Sequence, residues 1–259
     1  MLAKQGAAAV LLVLAFVGVA RGDEGTVRFF AVAELRYRAE HHATIRNGKP
    51  APPEDWPASF YSSDQCTSTL VGPRALITAK HCVGESGRIV LEGGGSSVKG
   101  ACTKAPGSGR GFDLAACLLE ESVEGVLYES VGSGSGLVAV GAPVLLTGFG
   151  CAATDTPSDG VFRIGMSTVR ALPTADDYRF QTQGGAAVCF GDSGAAAYAV
   201  QGGNLQRRVQ VGVNSSAGGN DTSYVVSLVD SRVREFLRRW SQRHSAPICG
   251  LSDEATGCR

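Results

Sequence analysis

Gly191-Asp192-Ser193-Gly194 sets one serine between glycines and beside a carboxylate, and far upstream Thr78-Ala79-Lys80-His81-Cys82 supplies a histidine. A hydroxyl is a weak nucleophile at neutral pH and needs a base. The oxyanion formed when it attacks a carbonyl needs N–H donors aimed at it. Together the two segments imply a nucleophilic serine hydrolase, with a glycine-flanked turn tight enough to present backbone donors. Gly-Asp-Ser-Gly alone is also an ordinary surface turn, since Gly, Asp and Ser all favour turns. Its weight therefore depends on what accompanies it.

The elements that must position these residues read as mainly β. The 259 residues include 35 glycines without a collagen-like period, a composition suited to many tight turns. Residues 75–79, 88–91, 137–140 and 143–147 are short apolar or alternating runs between glycine-rich turns and predict strands. Residues 161–169 put Phe162, Ile164 and Met166 on one face, and Val209, Val211 and Val213 again repeat with period two. One helix is predicted near the end, where Val233, Phe236, Leu237 and Trp240 recur at helical spacing behind Asp230 or Ser231 as N-cap. Its arginines, Arg232, Arg234, Arg238, Arg239 and Arg243, read as a solvated face. Residues 120–136 read as a flexible connection between two β-rich halves, and residues 245–259 as an irregular tail closed by its own disulfide.

A balance of 24 basic against 24 acidic residues implies no nucleic-acid or membrane-surface partner. Residues 1–22 combine Lys4, an uncharged apolar run over 6–20 and a small-x-small ending at Ala20-Arg21-Gly22, the pattern of a secretory signal peptide. That run is shorter than the roughly 20 residues that span a bilayer, so no stable membrane anchor is expected. Secretion, extracellular or periplasmic, agrees with eight cysteines. Eight allow about a hundred connectivities; mostly local pairing would join Cys66 with Cys82, Cys102 with Cys117, Cys151 with Cys189 and Cys249 with Cys258. There is no Cys-x-x-Cys pair and the four histidines are not at ligand spacing, so neither a metal nor a cofactor is expected. Asn214-Ser-Ser and Asn220-Asp-Thr would be glycosylation sequons in a eukaryotic secretory pathway.

These motifs, from Ile45 to about Trp240, resemble the chymotrypsin/trypsin-like serine peptidases. Cys66-Thr-Ser-Thr-Leu-Val and Ala75-Leu-Ile-Thr-Ala-Lys-His81-Cys82 are similar to that family's histidine block, Gly111-Phe-Asp113-Leu-Ala to its aspartate block, and Thr147-Gly-Phe-Gly150 to its Thr-Gly-Trp-Gly turn. The chain order His81, Asp113, Ser193 is the family's own and not that of subtilisins or α/β-hydrolases. The resemblance implies an all-β fold of two antiparallel six-stranded β-barrels with a C-terminal α-helix. It divides the chain into a propeptide 23–44, a peptidase domain 45–244 with barrels over about 45–125 and 137–230 and a helix over about 231–243, and a tail 245–259.

The same resemblance implies roles. Ser193 attacks the carbonyl, His81 takes and returns the proton, Asp113 orients the imidazole, and the N–H groups of Gly191 and Ser193 form the oxyanion hole. Gly194 is followed by Ala195-Ala196 where the family usually has Gly-Pro. Ile45-Arg46-Asn47-Gly48 before Trp56-Pro57 resembles the family's mature start, which implies a zymogen. Cleavage between Thr44 and Ile45, by an activating protease or by self-processing, would free an α-amino group to pair with Asp192. Ala187, six residues before the nucleophile, would lie at the floor of the primary pocket; Ala217 and Thr222 or Ser223 would narrow its walls, favouring small or medium apolar side chains as in elastases. Ser215, or Ser216 with a one-residue slip, would buttress Asp113. The family's usual partner of Cys189 is absent after the serine, and Cys151 is the nearest alternative. The expected function is a secreted serine endopeptidase acting on proteins or peptides. The alternatives are a catalytically silent homologue used as a binding module, or an esterase on the same scaffold.

Overall fold

A computed structural model of the chain describes residues 26–28, 45–62, 65–93, 96–107, 110–151, 158 and 160–259. The leader read over residues 1–22, the segment 23–44 apart from 26–28, and with them Thr44, His41 and His42, lie outside the described residues. Among the described residues the strands are β1 Thr26–Arg28, β2 Lys49–Pro50, β3 Ser59–Tyr61, β4 Thr67–Leu70, β5 Ala75–Thr78, β6 Arg88–Gly93, β7 Ser96–Lys104, β8 Ala115–Leu119, β9 Ser122–Glu124, β10 Pro143–Gly148, β11 Arg163–Ala171, β12 Arg179–Gln183, β13 Ala196–Val200, β14 Arg208–Ala217 and β15 Ser223–Ser227, followed by helix α1, Ser231–His244.

The first antiparallel sheet runs β3-β4-β5-β8-β7-β6, and its edges meet at a bridge between Ser62 and Leu91. The second runs β10-β13-β14-β15-β12-β11 and closes on itself because β10 also pairs with β11, with β2 added outside β11. The expected all-β fold of paired barrels with a C-terminal helix is thus the fold of the chain. A short parallel pairing of β1 with β9 is an addition.

Each barrel has its own core: Leu70, Leu76, Ile89, Leu91 and Leu119 in the first, Leu146, Val169, Phe180, Val211 and Val225 in the second. A further cluster joins the barrels through Ile77 and Leu114 on one side and Val213, Val226 and Leu228 on the other, and α1 seals it with Val233, Leu237 and Trp240. Burying each such aliphatic side chain contributes about 1.5–3 kcal/mol before entropy is counted. Asp230 caps α1 by accepting the Arg232 N–H at 2.9 Å, and Ser245 ends it in the left-handed region at φ 46°.

Two readings are corrected. Residues 137–140 are not a strand: Ser135–Leu137 form a 3-10 turn, Val138 drops into the second core, Val140 is exposed, and a turn through Gly141 leads into β10. Phe162, Ile164 and Met166 do share one face, on which Met166 is exposed where the other two are buried. Those two lie on the outer face of the barrel beneath Trp56 and Phe149, a cover that stops before Met166. Residues 120–136 are not a free connection either, because Val123, Val126, Tyr128, Glu129 and Val131 are all buried.

The tail packs there too. Cys249 and Cys258 are bonded, the Tyr128 N–H donates to the Gly257 carbonyl, and Val131 N–H to that of Cys249. Arg208, fully buried, places its Nε 3.1 Å from Glu129 Oε2 and its guanidinium 3.7 Å above the Trp56 ring, with Arg259 3.4 Å from Glu129. Two buried charges are stable together only if paired and hydrogen-bonded. This pair meets that condition by also using the Leu205 and Asp55 carbonyls.

Candidate active site

His81 stands on a 3-10 turn, Lys80–Cys82, directly after β5, and the disulfide from Cys82 to Cys66 at the start of β4 ties that turn to its barrel. Asp113 follows the 3-10 turn Arg110–Phe112 and enters β8, the neighbour of β5. Its carboxylate accepts the His81 backbone N–H on Oδ1 at 3.0 Å and meets His81 Nδ1 through Oδ2 at 2.7 Å. Ser215 Oγ, from β14 of the other barrel, donates to the same Oδ2 at 2.7 Å. Of the two serines considered, it is Ser215 that buttresses the aspartate. Burial alone would push the Asp113 carboxyl up; the hydrogen bonds and charge of His81, with the Ser215 hydroxyl, more than offset it and leave the carboxyl below its usual value.

Ser193 sits in the loop before β13, held from both barrels. Its carbonyl accepts the Thr67 N–H at 2.8 Å, and the next residue's N–H donates to the Asn214 carbonyl at 2.8 Å. Gly194 has φ 83°, and a Cβ there would lie 2.1 Å from the Thr67 carbonyl oxygen, so only glycine lets the loop approach β4 this closely. Among the described residues the N–H groups of Gly191 and Ser193 find no backbone acceptor, whereas those of Asp192, Gly194 and Ala195 do. Two donors left open beside a serine hydroxyl are what a developing oxyanion would require. His81, Asp113, Gly191, Ser193, Ser215 and Ala217 all line one cavity of about 810 Å³. A shared base, nucleophile and pair of donors in one cleft can carry out acyl transfer.

A family model described as Trypsin matches residues 45–238. The chain belongs to the trypsin family. No curated protein matches it. As a trypsin-family chain it departs from its expected site in several places. Cys189 is bonded to Cys151 and Cys102 to Cys117, so all four local pairings are present. Cys66, His81 and Cys82 do converge within 4.8 Å, but the two sulfurs are bonded to each other and offer no thiolate to a metal.

Ala187 and Thr222, expected in the pocket, do not line the cavity. Ala187 is fully buried and exchanges both backbone hydrogen bonds with Arg46; its neighbour Val188 faces the cavity instead. Thr222 closes a turn by accepting the Gly218 N–H, and Ser223 is the residue that points inward, its Oγ accepting the Val188 N–H at 3.0 Å. Asn214 is fully buried with Nδ2 on the Thr147 carbonyl, so this sequon is closed to modification in the folded chain.

The sequence reading missed Thr67 and Phe190. Thr67 Oγ1 donates to the Gly191 carbonyl at 2.7 Å and accepts the Phe149 N–H, linking β4 to the donor loop. Its position directly after Cys66 was the available signal. Phe190, 78 % exposed, stands on the rim between Cys189 and Gly191.

Asp192 is fully buried, with Oδ1 accepting the Gly150 N–H at 2.8 Å and Oδ2 the Cys189 N–H at 2.7 Å. Burial pushes its carboxyl up to about 8, against the opposing pull of those two N–H groups and the charge of Arg163. Between the unfolded value of 3.8 and about 8 the folded, uncut chain holds a proton that the unfolded chain releases. Its contribution is therefore complete at acid pH and lost as pH rises through that window, at up to about 1.4 kcal/mol per pH unit. The uncut protein is expected to melt progressively lower from pH 5 toward 8, and Asp192→Asn to flatten that trend; equal slopes in the two proteins would refute the assignment.

Proposed function

We propose that this chain is a secreted serine endopeptidase that hydrolyses peptide bonds through an acyl-enzyme. The observation that carries the reading is the Ser215–Asp113–His81 hydrogen-bond chain, spanning both barrels and opening on the same cavity as Ser193 and the free N–H groups of Gly191 and Ser193. Asp113 holds His81 with Nδ1 protonated, leaving Nε2 as the base for Ser193. Ser193 Oγ bonds to the carbonyl carbon, the oxyanion is stabilised by the two N–H groups, and His81 passes the proton to the leaving amine. Water then enters, loses a proton to His81 and bonds to the acyl carbon; the ester bond to Ser193 Oγ breaks, His81 returns the proton to that oxygen, and the acid leaves. No step calls for a metal or cofactor.

The activation step belongs to the same reading. Ile45 is fully buried against the second core beside Ala186 and Val188. A cut after Thr44 would place a cationic amine next to a carboxyl that burial has left protonated, and pairing would stabilise the donor loop in its open form. Val188 and Ala217 line the cavity and narrow it, which supports cleavage after small or medium side chains. Four disulfides favour an oxidising compartment, and no helix among the described residues is long and apolar enough to cross a membrane.

A serine-directed phosphonylating reagent tests the reading. Mass spectrometry is expected to find the adduct on Ser193, and His81→Ala to suppress it. Absence of labelling in the processed protein would point instead to a silent binding module. Ester hydrolysis without peptide hydrolysis would point to an esterase.

A further inference from the structure

We propose that Thr67 is a positioning residue for the oxyanion donors: its buried hydroxyl clamps the peptide between Gly191 and Asp192 and so keeps the two open N–H groups of that loop in their present orientation. This role rests on the peptidase reading above and gives part of its machinery to a side chain on the opposite barrel.

Three successive peptide planes make up the donor loop. A trans peptide is flat, with its C=O and N–H pointing in opposite directions, so a hydrogen bond to the carbonyl also sets where the N–H points. In the first plane the Phe190 carbonyl accepts the Cys151 N–H at 2.7 Å, and in the third the Asp192 carbonyl accepts the Ala195 N–H at 3.1 Å. These two planes carry the open N–H groups of Gly191 and Ser193. The plane between them is held by the Asp192 N–H on the Cys189 carbonyl at 3.1 Å and by Thr67 Oγ1 on the Gly191 carbonyl at 2.7 Å. Gly191 itself resists little, because it sits at φ 95° and glycine takes up either sign of φ without steric cost. Among these bonds only that of Thr67 comes from a side chain, and it comes from the first barrel.

The hydroxyl is committed to this task. Thr67 is fully buried at the start of β4. Its one proton goes to the Gly191 carbonyl, and a lone pair accepts the Phe149 N–H at 3.2 Å. Removing the oxygen would leave a buried carbonyl and a buried N–H without that partner. The backbone of the same residue fixes where the oxygen stands: its N–H donates to the Ser193 carbonyl at 2.8 Å, and its carbonyl accepts Thr78 Oγ1 at 2.9 Å. Thr78 ends β5, just before the turn that carries His81. Nucleophile, base and donors are thus all referenced to one residue.

Thr67→Val removes the hydroxyl and keeps the shape, whereas Thr67→Ser keeps the hydroxyl. On a peptide substrate, per folded molecule, Thr67→Val is expected to lower kcat by about 10–100-fold, somewhat less than deletion of a whole donor. KM should change by less than about twofold, because the interaction lost matters only in the transition state. Thr67→Ser should retain most of the wild-type rate, and Thr67→Ala, a second variant without the hydroxyl, should follow Thr67→Val. A peptide trifluoromethyl ketone bonds its carbonyl carbon to Ser193 Oγ, passes the serine proton to His81 and leaves its oxyanion on the donors. Its affinity should fall in Thr67→Val by the factor lost in kcat/KM. Relaxation dispersion should show the Gly191 and Ser193 amides exchanging between conformations in Thr67→Val and quiet in wild type and Thr67→Ser. An unchanged kcat in Thr67→Val, or an equal fall in Thr67→Ser, would overturn the proposal. If wild type neither hydrolyses peptides nor binds the ketone, the peptidase reading is what fails. The dispersion comparison then still decides Thr67, and equal profiles in wild type and Thr67→Val would remove the clamp.

Discussion

Ser193→Ala is expected to lower kcat on a peptide or ester substrate by roughly a millionfold while leaving the melting temperature nearly unchanged. The size follows from the mechanism. The hydroxyl is the atom that bonds to the acyl carbon, so nothing in the cleft replaces it, and what survives is binding plus the oxyanion donors, about 10³–10⁴ over water. His81→Ala should cost about as much, and the double variant little more, because nucleophile and base act as one unit. The fold should not notice the change: the loop is held through the backbone, by Thr67 N–H on the Ser193 carbonyl and Gly194 N–H on the Asn214 carbonyl. Steady-state kinetics beside a thermal melt would check both halves. A loss of less than about a hundredfold would remove Ser193 as nucleophile.

The second large effect is expected at a residue that touches no substrate. Asp192→Asn should lower kcat/KM of the processed protein by about 10²–10⁴, corresponding to the roughly 3–5 kcal/mol lost when one partner of a buried pair is removed. An Asn amide presents an NH₂ group where the carboxylate accepts from Gly150 or Cys189, and it leaves the new α-amino group without a counter-charge. There is no room to rearrange, since a Cβ on Gly150 would lie 2.5 Å from the Asp192 carboxyl carbon. The triad is untouched, so the His81–Asp113 hydrogen bond should persist in proton NMR while turnover falls. N-terminal sequencing of the active form should begin at Ile45. Full activity with the uncut terminus, or an unimpaired Asp192→Asn enzyme, would remove the latch.

Much of this site was legible in the sequence because its parts are local. Each triad member stands inside a short block whose neighbours shape its turn: cysteine after His81, Gly111-Phe112 before Asp113, glycines around Ser193. Cysteine pairing was legible for the same reason, since three of the four bonds close loops of 9 to 16 residues. What misled was local as well. Residues 137–140 have a strand's composition but anchor a turn, and the glycines of residues 120–136 suggested freedom where Glu129 and Tyr128 are packed. Near the cavity a one-residue offset separates Thr222, in the turn closed onto Gly218, from Ser223, the first residue of β15, whose Oγ accepts the Val188 N–H.

By itself, then, the sequence pointed to the family and to the chemistry proposed for it: a serine, a histidine and an aspartate in the order of the trypsin family, within strands short enough to curl. Which side chains meet across the molecule was decided only by tertiary structure. Ser215 reaches Asp113 over 102 positions and Arg208 finds Glu129 over 79. None of these pairs has a local pattern, because each arises from closing two sheets and pressing them together. That closure is driven by non-directional apolar burial, and the polar contacts at the seam are whatever its geometry brings within reach.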